Sequence, residues 1–221
     1  MSMFRQSFIA AIGFSLAQIA AANPVIYSQA WAGAADMYSS QSDTTTGGFG
    51  NFATVYDDFR LSANYRVTDV HWTGGFFNPA SAGAITSFRI AFYADNAGQP
   101  GAALYSAVVA GNANETSLGT VGGFPMFTYS VDLGTEFLAT ANTRYWMSIV
   151  PDLAFPPQWG IASGTGGNGI GFQDFLGTRG QIPDLAFDLT GLAAVPEPGS
   201  IPLVALALAG LVALRRRNPA A

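Results

Sequence analysis

The sequence predicts an all-β chain, with one antiparallel sandwich or barrel as its folded domain. Three observations carry this expectation. Apolar and polar residues alternate over short runs. Gly, Pro, Asn and Asp separate the runs. No long stretch between Asn23 and Val195 repeats its apolar residues at helical spacing.

The elements follow in chain order. Val55, Asp57, Phe59 and Leu61 alternate with Tyr56, Asp58 and Arg60. In the next run Val70 and Trp72 share a face with Thr68, and Val67, Asp69 and His71 take the other. Phe88, Ile90 and Phe92 line one face of a third run, and residues 104–110 form a fourth. Tyr129, Val131 and Leu133 mark a fifth, and Tyr145, Met147 and Ile149 a sixth. Residues 159–162 and 170–175, then Leu185, Phe187 and Leu189, bring the total to about nine strands. Alternate strand residues share a face, so Phe88, Ile90, Phe92, Met147, Ile149, Phe187 and Leu189 are expected to point inward. The domain should run over residues 53–191. Residues 23–52 read as a lead-in or linker, because 37–51 are rich in Ser, Asp, Thr and Gly. Residues 192–200 read as an exposed stalk.

Composition narrows the function. Charged residues are 10% of the chain, aromatic residues 13%, and Cys is absent. A disordered chain would reverse the first two values. Without Cys there is no disulfide framework, no Cys-ligated zinc and no Cys nucleophile. Between Asn23 and Val195 five arginines face thirteen acids. Such a body repels phosphate backbones, so nucleic acid is excluded as a partner.

Both ends read as addresses. Arg5 precedes a largely apolar run over residues 8–22. Ala20 and Ala22 then give the small-x-small pattern that signal peptidase cuts, which leaves Asn23 as the first residue of the exported form. At the other end Pro196, Glu197 and Pro198 precede an apolar run over residues 201–214, and Arg215, Arg216 and Arg217 close it. As a helix that run would rise about 21 Å against a hydrocarbon core of about 30 Å, a marginal span that holds the chain at the inner membrane transiently. The arginines would stay on the cytoplasmic side.

The tail resembles the PEP-CTERM sorting signal of Gram-negative bacteria through its Pro-Glu-Pro, apolar run and basic stop. The resemblance implies recognition and cleavage by the membrane enzyme exosortase, then passage to the cell surface or extracellular matrix, with exopolysaccharide as a candidate partner. The central region is similar to a domain of unknown role in many PEP-CTERM proteins. Its cues are residues 55–59, Phe92, Tyr93, Ala94 and Asp95 with Pro100 and Gly101, residues 145–149, and residues 184–187. That resemblance implies a jelly-roll-like sandwich and no established activity.

Candidate chemistry is sparse. His71 is the single histidine, and no Gly-x-Ser-x-Gly elbow accompanies it. It reads as a surface residue beside a core tryptophan, Trp72. Asp57 and Asp58 point to opposite faces of one strand, so they are not themselves a glycosidase pair. Asp95 and Asn96 offer hard oxygens to calcium, and a plain turn explains them equally well. Residues 164–171 (Gly-Thr-Gly-Gly-Asn-Gly-Ile-Gly) lack the Lys of a phosphate loop and the Asp of a calcium roll, and read as a flexible surface loop. Trp159 and Trp146 are the candidates for stacking on sugars. The expected activity is non-enzymatic and without a cofactor; a carbohydrate-binding module and a secreted hydrolase are the alternatives.

Overall fold

The structure is a computed structural model and describes residues 23–194. These residues form strands, turns and loops, with no helix among them. The strands are β1 (Val25–Trp31), β2 (Met37–Ser39), β3 (Gln41–Asp43), β4 (Gly50–Arg60), β5 (Tyr65–Phe77), β6 (Ser87–Asn96), β7 (Gln99–Ala110) and β8 (Thr116–Val121). They continue with β9 (Phe124–Ala139), β10 (Arg144–Asp152), β11 (Gln158–Ala162), β12 (Gly164–Thr165), β13 (Gly171–Phe175), β14 (Thr178–Ile182) and β15 (Phe187–Ala193).

The strands make two sheets. The 8-stranded sheet has the order β12-β1-β15-β5-β11-β2, with β9 also on β5 and β8 on β9. The 7-stranded sheet has the order β14-β13-β4-β3-β10-β6-β7. From β4 onward the chain passes repeatedly between the sheets, and one core fills the space between them. Val55, Phe59, Ile90, Phe92, Met147 and Ile149 enter that core from the 7-stranded sheet. Val70, Trp72, Tyr129, Trp159, Phe187 and Leu189 enter it from the other. Aromatic edges interlock across the gap: Phe88 meets Trp72 at 5.0 Å and Trp159 at 5.7 Å, and Phe92 stacks on Phe137 at 4.5 Å. All seven residues expected to point inward are buried.

Three expectations change. Nine runs appear as strands, and six further strands (β1, β2, β3, β8, β12 and β14) join them. Residues 23–52 are no linker. β1 pairs with β15 and β12, β2 with β11, and β3 with β4 and β10. Their polar residues are buried because the fold satisfies them. The Ser40 hydroxyl donates to the Ile149 carbonyl at 2.6 Å. The Gln41 amide accepts from Trp159 N–H at 2.8 Å and donates to the Leu153 and Pro157 carbonyls. Nor are Leu192 and Ala193 stalk, since β15 reaches Ala193. A register shift between Val67 and Asp69 lets both Val67 and Val70 face the core, where strict alternation would separate them. The signal peptide, the apolar run and the basic stop lie outside the described residues.

Candidate functional site

The chain enters and leaves the fold at one pole. β1 runs away from Pro24 and β15 returns beside it, with Val25 opposite Thr190 and Ala193 opposite Tyr65. The Gly191 N–H donates to the Pro24 carbonyl at 3.1 Å, and the Ala194 N–H donates to the Asn64 carbonyl at 2.9 Å. Asn23, the residue expected to follow signal-peptide removal, donates its amide to Thr68 Oγ1 at 2.9 Å. Ala20, Ala22, Pro196, Glu197, Pro198 and Arg215, Arg216 and Arg217 lie outside the described residues.

The two tryptophans expected to stack on sugars are buried, and this corrects that expectation. Trp159 has no exposure. Its indole N–H donates to the Tyr129 hydroxyl at 3.0 Å. Gly74 makes room for the ring, because a Cβ there would collide with it. Trp146 is equally buried; it donates to Asp95 Oδ1 at 2.9 Å and packs on Phe172 at 5.4 Å. A turn-forming Pro-Pro upstream of Trp159 suggests a surface strand, but β11 lies between β5 and β2.

Asp95 is engaged within the protein. It accepts from Trp146 and, through Oδ2, from the Gly98 N–H at 3.2 Å, which closes the β6–β7 turn. The Arg144 guanidinium lies 4.0 Å away. Asn96 is exposed in the same turn. Among the described residues no group of three or more His, Asp or Glu side chains is placed to hold a metal ion.

Asp57 and Asp58 do point to opposite faces. Asp57 sits inside with no exposure. Its carboxylate accepts from the Leu185 N–H at 2.7 Å and the Asp58 N–H at 2.8 Å. The Gln29 amide donates to Asp57 Oδ2 and to the Leu185 carbonyl and accepts from the Tyr27 hydroxyl, each at 2.7 Å. Burial pushes the Asp57 carboxyl up to about 8, against those N–H donors. Asp58 lies on the opposite face of the strand, also buried, 3.2 Å from Arg144 Nε, and accepts from Asn168 Nδ2 at 2.8 Å. Burial raises its carboxyl as well.

Asn168 belongs to the glycine-rich segment, which is built structure instead of a free loop. Gly169 N–H donates to Asp184 at 2.7 Å. A Cβ at Gly167 would lie 2.5 Å from the Gln29 side-chain amide and 2.7 Å from Asp184. The glycines therefore let the segment close over Asp58 and Asp184, whose carboxylates hold it there. Separation in sequence hid this cluster.

His71 lies half-buried on the outer face of the 8-stranded sheet, beside buried Trp72. Strand register sets it opposite Ser130 on one side and Asp188 on the other. The row has the residue types of a nucleophilic triad, yet Ser130 Oγ accepts from Asn114 and Asp188 Oδ1 is buried without a partner among the described residues. No proton relay joins it.

Comparison with curated proteins and with solved structures finds no match to this chain. Residues 194–217 do match a family, described as the PEP-CTERM protein-sorting motif. The motif implies export, a transient stay at the membrane and exosortase-dependent sorting toward the cell surface. Among the described residues the final backbone hydrogen bond is at Ala194, where the match starts. The chain thus carries a PEP-CTERM sorting signal directly after its two-sheet body.

Proposed function

We infer that this is an exported, non-enzymatic protein of the cell surface or biofilm matrix, with a jelly-roll-like body. Signal peptidase cuts after Ala22. Residues 201–214 hold the chain in the inner membrane for a time, with Arg215, Arg216 and Arg217 as the stop. Exosortase then cuts near Pro198 and releases the body, whose matrix partner is exopolysaccharide. The observation that supports this most is the shared pole: entry at Asn23 and exit at Ala194 lie on neighbouring strands. Both addresses can then engage one membrane while the body stands clear of it. Residues 195–200 reach at most about 22 Å when extended. Pro196 and Pro198 fix their own φ and remove N–H groups, which favours the extended shape a protease binds. The non-enzymatic reading draws on the sealed position of Asp57 and on the unlinked row around His71. No cofactor is needed.

The test is a fractionation immunoblot in cells with and without exosortase. Glu197→Ala and deletion of Arg215, Arg216 and Arg217 should leave uncleaved protein in the inner membrane, as should loss of exosortase. Equal surface delivery of the wild type and both variants without exosortase would refute the reading.

A further inference from the structure

The outer face of the 8-stranded sheet carries a groove of about 470 Å³. That falls within the range of roughly 300–1,000 Å³ usual for small-molecule sites. β15, β5 and β9 form its floor through Asp188, His71, Thr73, Thr128 and Ser130, and Trp31 lines it from the end of β1. We propose that this groove binds a glycan whose groups facing Asp188 are hydrogen-bond donors, hydroxyl or ammonium.

The chemistry of the lining selects this class. Hydroxyls, an amide and an imidazole alternate along the floor, which suits a polyhydroxylated chain. Trp31 is half-buried, and its indole N–H is tied to the Ala34 carbonyl at 2.8 Å. The ring is thus held in place and gives an apolar surface for the C–H face of a sugar. Asn114 Nδ2 sits over Ser130 Oγ at 3.3 Å and orients that hydroxyl. Asp188 Oδ1 is the sharpest feature. Asp188 lines the groove and its Oδ1 has no partner among the described residues, so a ligand donor at this carboxylate would offset the cost of its desolvation.

Charge excludes the alternatives. No Arg lines the groove, and Asp188 is its one carboxylate. Phosphate, sulfate and uronate groups would meet repulsion from Asp188 with no Arg to offset it. A lipid chain would desolvate the hydroxyl row without replacing its hydrogen bonds. The site rests on the described fold and holds whether or not the tail is cleaved.

The experiment is calorimetric titration of the full chain, purified in detergent, with three hexamers: cellohexaose, hexaglucosamine and hexagalacturonate. The first two separate a hydroxyl source from an ammonium source, and the third carries the disfavoured charge. At least one donor-rich hexamer should bind and hexagalacturonate should not. Asp188→Ala removes the acceptor and Thr128→Arg fills the groove. Each should weaken binding about tenfold or more, the scale of a lost charge-assisted hydrogen bond, at unchanged melting temperature. Phe49→Ala, at the far end of the molecule, should bind as wild type. The proposal fails if neither donor-rich hexamer binds, if hexagalacturonate binds as tightly as they do, or if both groove variants that melt as wild type also bind as wild type.

Discussion

The two poles of the body are held by different forces. At the exit pole the chain ends are fixed by polar bonds: Ala194 to Asn64, Gly191 to Pro24, and the Asn64 side chain to the Ala141 N–H at 2.8 Å. At the far pole, where β5 ends and β4 begins, aromatic rings gather in the open. Phe49 is 65% exposed and meets Phe52 at 5.9 Å and Phe155 at 5.7 Å. Phe52 also meets Phe175 at 6.2 Å. The 13 residues of β5 separate the poles by about 40 Å. Apolar rings between the sheets build the fold, whereas rings at the far pole are half-buried or exposed. The exit pole spends its polar groups on securing two chain ends side by side. One end of the body is therefore shaped for tethering, and the apolar surface lies at the other.

Substitutions sharpen that contrast, beginning in the core that joins the poles. Phe92 has no exposure and packs on Phe59, Tyr105 and Phe137. Phe92→Ala should cost about 3–5 kcal/mol in denaturant unfolding. A loss below about 0.5 kcal/mol would place that ring outside the core.

The next effect concerns pH. The Asp57 carboxyl moves from its ordinary 3.8 to about 8 in the folded state. Between those values the folded protein holds a proton that the unfolded chain has released. Stability should thus be greatest at the acidic side of this window and fall as pH rises through it, by about 1.4 kcal/mol per pH unit at most. Asp57→Asn keeps the shape and removes the titration. Its chemical-denaturation midpoint should gain on that of the wild type as pH rises through this window, and the difference should level off above about pH 8. Parallel pH profiles for the two proteins would show that Asp57 is charged in the fold.

Gly167→Ala is expected to act less strongly. The new methyl would press on Gln29 and Asp184, costing about 1–3 kcal/mol, seen as a lower melting temperature. No change would mean that the segment over the aspartates is free to move. Smallest is Phe49→Ala at the far pole, at about 0.5 kcal/mol or less by the same unfolding assay. A cost near that of Phe92→Ala would erase the difference between far pole and core.

Much of the core was legible in the sequence because its runs alternate strictly. Val55, Phe59 and Leu61 or Tyr145, Met147 and Ile149 announce a buried face by period alone. Ser40 and Gln41 could not be found so, since their burial depends on carbonyls more than a hundred residues away. β8 and β14 are largely exposed, so burial imposes little pattern on their residues. Trp159 illustrates another limit: composition marks a large ring, and only the glycine beneath that ring, Gly74, reveals the space that takes it. The sorting signal was readable because its order of parts is linear. The groove beside His71 was not, because strand register brings together Asp188, His71 and Ser130.

The claim that the exit pole faces the membrane can be measured directly. The chain has no Cys, so a single introduced thiol labels cleanly. Ala63→Cys lies exposed at the exit pole and Phe49→Cys at the far one. In cells lacking exosortase, each is labelled with a donor dye, and energy transfer to a lipid-headgroup acceptor is recorded. Transfer should be several-fold stronger from Ala63→Cys. Equal transfer from the two positions, or stronger transfer from Phe49→Cys, would contradict the account.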